Sequence, residues 1–346
     1  MGATVDVSVL VPVLDEEASI ERCLASALGQ RFAGAIEVVV VDGGSRDATR
    51  RVVARMVAKD PRVRLLDNPR GRIPSALNLG LDAARGEYVA RMDAHTVYPP
   101  SYLGDGVERL RRGGVTWVSG PQIPRGEGVW SRRVTLALST RLGVGGARFR
   151  TLPEGEVDVD AGFTGVWRRE VLLAHGGWDE DWPINEDGEL AGRIRRDGGR
   201  IVCLPEMAAS YEPRDSLRAL ARQYWRYGHY RAKTSRRHPD SMRRSHLLAP
   251  GLVVVMAATP VLRGAPGRVA RTALAAYSLA TLLAAVHAAR ARRAAPRDAA
   301  AIPLVLATMH LAWGGGFLAG AARFGPPVGA LVRALAPRPR REGRWI

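Results

Sequence analysis

The first hundred residues alternate short β-branched runs with segments of helical periodicity, and that alternation leaves few folds open. Residues 7–12 (VSVLVP) and 36–41 (IEVVVV) are short apolar runs, the first ending in proline and the second broken by Gly43 and Gly44. Such runs predict strands covered on both faces. Between them, residues 17–28 place Ile20, Leu24 and Leu28 on one helix face. The pattern continues with a helix over 47–59, Asp47 as its candidate cap, a strand over 63–66, a helix over 74–84 and a strand over 87–93. The expected fold class is α/β: a Rossmann-like, mostly parallel sheet flanked by helices, with the ligand at the carboxyl ends of the strands. Residues 117–205 are less regular and rich in Gly, Trp and acids. Residues 215–238 predict an amphipathic helix, with Leu217, Leu220, Tyr224 and Tyr227 on one face and Arg218, Arg222 and Arg226 as a basic stripe.

The composition changes after about residue 245. Segments 247–262, 272–289 and 299–322 carry no formal charge, and a membrane-spanning helix needs about 20 apolar residues. The third is long enough, the second nearly so, and the first is short with two prolines. The expected organisation is a catalytic domain over residues 1–245 and a membrane-associated helical region over 246–346 with a basic tail. Arginines fill both linkers (Arg263, Arg268, Arg271; Arg290, Arg292, Arg293, Arg297) and the tail. Positive loops stay cytoplasmic. Three spans cannot keep both linkers and the tail on that side, so one segment is expected to be re-entrant or interfacial.

The net charge is +17, and all basic residues but Lys59 and Lys233 are arginine. With abundant Ala and Gly, that skew reads as a coding bias, so nucleic acid is not an expected partner. A basic surface equally suits anionic lipid or a diphosphate. Cys23 and Cys203 lack any CxxC context and read as buried reduced thiols, in keeping with a cytoplasmic face. No signal peptide is expected, since the run at 7–13 is short and acids follow at once.

Four clusters carry chemistry. Asp15, Glu16 and Glu17 stand where the first strand turns into a helix; carboxylates there accept hydrogen bonds from a base or ribose, or favour the helix start. Asp42 ends the second strand ahead of Gly43-Gly44, where backbone admits a ring. Asp93 ends the strand at 87–93 and His95 follows it; in extended chain they share a side, as a metal bridging a diphosphate requires. Glu186 and Asp187 open a helix, where one acid is a candidate general base, and Gln223 and Arg226 share a helix face, where Arg226 can neutralise a departing diphosphate. No GxGxxG follows the first strand, which disfavours a nicotinamide-binding domain.

In this order the clusters resemble the family 2 glycosyltransferases of GT-A fold, over roughly residues 5–233. VSVLVPVLDEE, VVVDGGSRDAT, RGRIPSALNLGLDAARGEYVARMDAHT, HGGWDEDWPINEDGELAGRIRRDGG and QYWRYG carry the resemblance, and MDAHT and QYWRYG look most like the branch that elongates lipid-linked exopolysaccharide in succinoglycan biosynthesis. The resemblance implies that Pro12, Asp15 and Asp42 lie near the nucleoside, and that Arg72, Asn78 and Glu186 belong to the substrate-binding set. Asp93 and His95 match the ends of the metal-binding DxD motif. Asp187 matches the base of the ED motif, and Gln223, Arg226 and Tyr227 match QxxRW. Three positions depart from the family pattern: Gly43 stands for a second Asp, His95 for an Asp, and Tyr227 for Trp. A nitrogen ligand at 95 favours Mn²⁺ over Mg²⁺.

The implied activity is inverting transfer of a hexose from a nucleotide-sugar, expected to be a UDP-sugar, to a lipid-linked oligosaccharide or exopolysaccharide at the cytoplasmic face of the inner membrane. The alternatives are a polyprenyl-phosphate sugar transferase and a non-catalytic membrane scaffold of the same fold.

Overall fold

The computed structural model describes residues 5–145 and 153–336. Among these residues the strands are β1 Val7–Val13, β2 Ile36–Asp42, β3 Val63–Asp67, β4 Tyr88–Arg91, β5 Thr96–Val97, β6 Trp117–Ser119, β7 Gln122–Pro124, β8 Val157–Asp158, β9 Gly165–Arg168, β10 Ile201–Cys203 and β11 Ala209–Tyr211. The α-helices are α1 Ile20–Leu28, α2 Thr49–Lys59, α3 Ile73–Ala83, α4 Tyr102–Arg111, α5 Val129–Leu138, α6 Arg141–Val144, α7 Arg169–Ala174, α8 Glu186–Arg196, α9 Leu217–Arg237, α10 Leu248–Ala258, α11 Gly264–Arg292, α12 Pro296–Ala299, α13 Ile302–Phe324 and α14 Val328–Leu335.

The main sheet runs β3-β2-β1-β4-β9-β6-β10-β8, and a small second sheet runs β5-β11-β7. Pairings among β1 to β4 are parallel, whereas β9 is antiparallel to both β4 and β6, so the sheet is mixed. The strand residues divide by parity. Val9, Val11, Val38 and Val40 join one core with Ile20, Leu24, Val53 and Leu103, while Leu10, Val39 and Val41 join another with Leu77, Leu190 and three tryptophans, Trp117, Trp167 and Trp178. Both faces are therefore dry, as near-continuous apolar strands require.

The first strand does not stop at Pro12. It continues to Val13, with Pro12 paired in register against Val41. A proline is tolerated in this inner strand because pairing to β4 ends at Leu10 and Arg91, so no neighbour on that side needs its missing N–H. The strand expected over 87–93 is shorter, ending at Arg91.

The segment expected at 247–262 forms the short α10, that at 272–289 lies inside α11, and that at 299–322 lies across α12 and α13. Residues 264–292 and 296–324 are each long and apolar enough to cross a membrane. These helices pack directly on the preceding unit. Val134 and Leu138 of α5 and Leu220 of α9 share one core with Ala285 of α11 and Val305, Leu306 and Met309 of α13. The α9–α13 contact is a glycine seam: Gly228 lies against the Trp313 carbonyl, Gly316 against the Trp225 carbonyl and Gly320 against the His229 carbonyl.

This seam generates a test with a defined sign. Alanine is favoured over glycine inside a helix by about 1 kcal/mol, but a Cβ on Gly316 would sit 2.1 Å from the Trp225 carbonyl oxygen. Gly316→Ala should therefore destabilise by about 1–3 kcal/mol, read as a lower thermal midpoint; an unchanged or higher midpoint would show that the seam is loose.

Candidate active site

Three loops meet at the carboxyl ends of β1, β2 and β4. Asp15 takes a left-handed backbone conformation (φ 53°), which aspartate tolerates better than most residues. Its amide donates to Ser45 Oγ at 2.9 Å, and its Oδ1 accepts from the Arg46 amide at 2.7 Å. The Glu16 amide donates to Thr49 Oγ1 at 2.8 Å, and the Ala48 amide donates to Glu17 Oε2 at 2.7 Å. Asp47 accepts from the amides of both Thr49 and Glu17. The β1–α1 and β2–α2 loops are thus laced into one rim. Asp42 lies beneath it, buried, accepting from Ser45 Oγ at 2.5 Å and from Arg50 Nη1 at 2.9 Å. Burial opposes its charge, but Ser45 and Arg50 prevail and hold the carboxyl below the usual carboxylate range. Asp15 and Asp42 are therefore joined through Ser45, and Pro12 lies in register with Val41, the residue before Asp42.

The centre of the arrangement is Arg91, the last residue of β4. It is fully buried, donates through Nε to Asp93 Oδ1 at 2.8 Å and through Nη1 to Glu186 Oε1 at 2.8 Å. Burial works against the guanidinium charge, yet Asp93 and Glu186 more than compensate and raise its pKa. Burial pushes the Glu186 carboxyl up to about 7, with neighbouring Asp187 adding to the rise and Arg91 opposing it.

Asp93 and His95 do not share an extended strand as expected. The chain turns between them, with the Thr96 amide donating to the Asp93 carbonyl at 3.0 Å. Asp93 folds back onto Arg91, while His95 Nδ1 lies 3.5 Å from Glu16 Oε1. Burial tends to raise Glu16, but His95 and Ser19 outweigh it and hold the carboxyl low. No three His, Cys, Asp or Glu side chains form a metal cluster among the described residues. Asp93 and His95 nevertheless stand two residues apart at one turn, with Glu16 beside His95. One or two carboxylates and an imidazole suit a divalent ion that takes its remaining ligands from a substrate diphosphate and water.

Asp187 is half-buried at the start of α8, its Oδ1 accepting from the Gly188 amide at 2.7 Å and from Asn185 Nδ2 at 3.2 Å. Asn185 holds the left-handed conformation (φ 66°) that swings the chain into this helix. One turn along, the buried Glu189 accepts from Arg193 Nε at 2.8 Å and stands 3.2 Å from His238 Nε2, which ties α8 to the end of α9. Trp182 Nε1 donates to Thr234 Oγ1 at 2.9 Å, so the loop before α8 is also fixed to α9.

The remaining expected residues lie further out. Asn78 donates to the Trp178 carbonyl and accepts from the Trp178 amide, each at 2.8 Å; its amide braces the loop before α8 rather than facing an open site. Arg72 is exposed at the start of α3, its carbonyl accepting from Asn68 and Ser75. Gln223 Nε2 donates to Tyr227 Oη at 3.0 Å. Arg226 is exposed and makes no hydrogen bond or ion pair with a described residue. The α9 guanidinium near Asp187 is instead that of Arg231, which also lies near Asp160 and Arg243. Loss of water pulls Arg231 below the usual arginine range, against the attraction of Asp187. Arg91 and Arg231 were not singled out from the sequence, and Glu16 was read there as a partner for a base or ribose or as a helix-start acid, not as the neighbour of His95. For Arg91 a signal existed: an arginine closing an otherwise apolar strand.

The profile of "Glycosyl transferase family 2" matches residues 8–174. The succinoglycan biosynthesis protein ExoA of Rhizobium meliloti is 31% identical over 317 residues, spanning 89% of this chain and 93% of that protein. The chain belongs to glycosyltransferase family 2, in the ExoA-like branch. A Methanococcus voltae enzyme, a dolichyl N-acetyl-α-D-glucosaminyl phosphate glucuronosyltransferase of a diacetamido sugar, is 22% identical over 230 residues, covering 64% of this chain and 71% of its own. A mannosyltransferase from Pyrobaculum calidifontis, solved with GDP-mannose and Mn²⁺, superposes with a TM-score of 0.57 at 23% identity over 95% of this chain and 86% of its own, which establishes the GT-A fold.

Two outcomes follow from the Arg91 junction of this glycosyltransferase. Arg91→Met strands two buried acids and should cost about 3–5 kcal/mol in denaturant unfolding, part of it recovered when Glu186→Gln is added. The raised Glu186 carboxyl binds its proton more tightly folded than unfolded. Its contribution to stability is therefore present below its unfolded value of about 4.3 and is lost as pH rises through about 7. Plotted against pH, the thermal midpoint of the native protein should decline over that window relative to Glu186→Gln; parallel curves would refute the raised pKa.

Proposed function

We propose that this family 2 glycosyltransferase carries out an inverting transfer of a hexosyl group from a nucleotide-sugar, most simply a UDP-sugar, to a lipid-linked oligosaccharide or exopolysaccharide at the cytoplasmic membrane face. The observation that carries this reading is the Arg91 junction, which gathers the acid after β4 and the acids at the start of α8 at one end of the sheet. The nucleoside rests against the laced rim of Pro12, Asp15 and Asp42. Asp187 takes the proton from the acceptor hydroxyl as that oxygen attacks the anomeric carbon. The bond from that carbon to the diphosphate breaks on the opposite side, so configuration inverts. Asp93 and His95 would hold a divalent ion, Mn²⁺ in preference to Mg²⁺, which when bound would neutralise diphosphate charge. Arg231, which lies near Asp187, would meet the charge of the leaving group, with Arg226 of the same helix as the second cationic candidate.

Two relatives support an elongating role. One relative belongs to succinoglycan biosynthesis, and another uses a sugar already attached to dolichyl phosphate. Both favour a saccharide acceptor over bare polyprenyl phosphate. The apolar helices after residue 245 support membrane attachment, which raises the effective concentration of a lipid-linked acceptor. Two free, buried cysteines are in keeping with a cytoplasmic catalytic unit.

Asp187→Asn tests the assignment. Turnover of the detergent-solubilised enzyme with its donor should fall by about 10²–10⁴ while calorimetry shows unchanged donor binding. Near-native turnover would remove Asp187 from the base role.

A further inference from the structure

The length and hydropathy of residues 264–292 and 296–324 invite two transmembrane spans. The contacts of α13 point elsewhere. Just before its start, Asp298 of the adjoining α12 pairs with Arg133 of α5 at 3.0 Å. At its end, the Phe324 carbonyl accepts from Arg236 of α9. Between these points α13 lies alongside α9 in the same direction: Val305 and Leu306 share a core with Leu220, Gly316 abuts Trp225, Gly320 abuts His229, and Phe324 meets Arg236. A 23-residue helix is about 35 Å long, slightly more than a bilayer's hydrocarbon core of about 30 Å. If α13 crossed, its α5 contact and its far α9 contact would lie at opposite membrane faces. The whole of α9 would then be drawn into the hydrocarbon with Arg222, Arg226, Arg231 and Lys233. Charges at that depth are strongly disfavoured.

α11 is tied in the same way. Ala285 and Ala288 join the α5–α13 core, and Tyr277 Oη lies 2.9 Å from His310 Nδ1 of α13. Its opposite face is bare: Leu279, Leu282, Leu283 and Val286 recur at helical spacing and are 57%, 55%, 60% and 47% exposed. Exposed arginines flank this stripe at both ends, Arg268 and Arg271 before it and Arg292 and Arg293 after it.

Building on the membrane-bound reading above, we infer that none of the three C-terminal apolar segments crosses the bilayer. The α10, α11 and α13 helices form an in-plane layer beneath the catalytic unit, and the α11 stripe sinks into one leaflet of an anionic lipid surface. Both arginine clusters then sit at headgroup depth on the same face. Crossing would carry one cluster to the other side, against the tendency of basic loops to remain cytoplasmic. This also resolves why three spans could not keep both linkers and the tail together.

The test uses the full chain, whose own cysteines are both buried and therefore silent to labelling. Ala295→Cys reports the exposed turn between α11 and α12, and Glu21→Cys reports an exposed position on α1 of the catalytic unit. Both are treated with a membrane-impermeant maleimide in inside-out and right-side-out membrane vesicles. A fluorophore at Leu282→Cys is read in phosphatidylethanolamine/phosphatidylglycerol vesicles carrying spin labels either near the headgroup or near the chain ends. The expected result is labelling of both reporters in the inside-out preparation, loss of both in the right-side-out one, and stronger quenching by the shallow label. Labelling of Ala295→Cys and Glu21→Cys in opposite preparations would overturn the in-plane layer while leaving the membrane-bound glycosyltransferase intact. A chain that fails to float with the vesicles, with Leu282→Cys unquenched by either label, would overturn membrane attachment itself.

Discussion

The buried guanidinium of Arg91 is the interaction on which the site depends. It holds Asp93, which leaves β4, and Glu186, which opens α8, although 95 residues separate Arg91 from Glu186 in sequence. A lone buried charge of this kind would be untenable; two carboxylates around it make the cluster tolerable, and burial, with Asp187 adding to it, raises the Glu186 carboxyl. Because a guanidinium offers a planar fork of donors, it can serve two acids in fixed directions, which a lysine ammonium would not. The acid assigned to the diphosphate side and the acids assigned to the acceptor side are thereby set in one frame before any substrate arrives.

Around that junction the site is built by bracing rather than by free side chains. Asp42 is held by Ser45 and Arg50, and Asn78 holds the main chain of Trp178. The helix that presents Asp187 is pinned through Glu189 to Arg193 and His238. His238 closes α9, and α9 lies along α13 through the glycine seam. A continuous line of packed elements therefore runs from the proposed membrane layer to the proposed base. Disturbing the C-terminal helices is expected to reach the chemistry through α9 and α8.

Much of the α/β unit was legible in the sequence. The runs at 36–41 and 63–66 and the periodic segments at 17–28 and 47–59 became β2, β3, α1 and α2 with ends displaced by a few residues. Strand continuity past Pro12 was not legible, because it depends on where the β4 pairing stops, and that is a property of the neighbour. The turn after Asp93 was missed for a similar reason: period-two reasoning holds only while the chain is extended, and β4 ends at Arg91.

The sequence by itself determined the fold class, the family and the inventory of acids, since these rest on local periodicity and on motif order. Only the tertiary structure decided which of those residues meet. Arg91, Glu16 and Arg231 take their places because β4, the loop between β1 and α1, and α9 converge, and convergence of distant elements leaves no local pattern to read. The long apolar segments make the same point. Hydropathy registers their composition, but whether they cross a bilayer or lie along it follows from what holds their ends, here Arg133 and Arg236 on the catalytic unit.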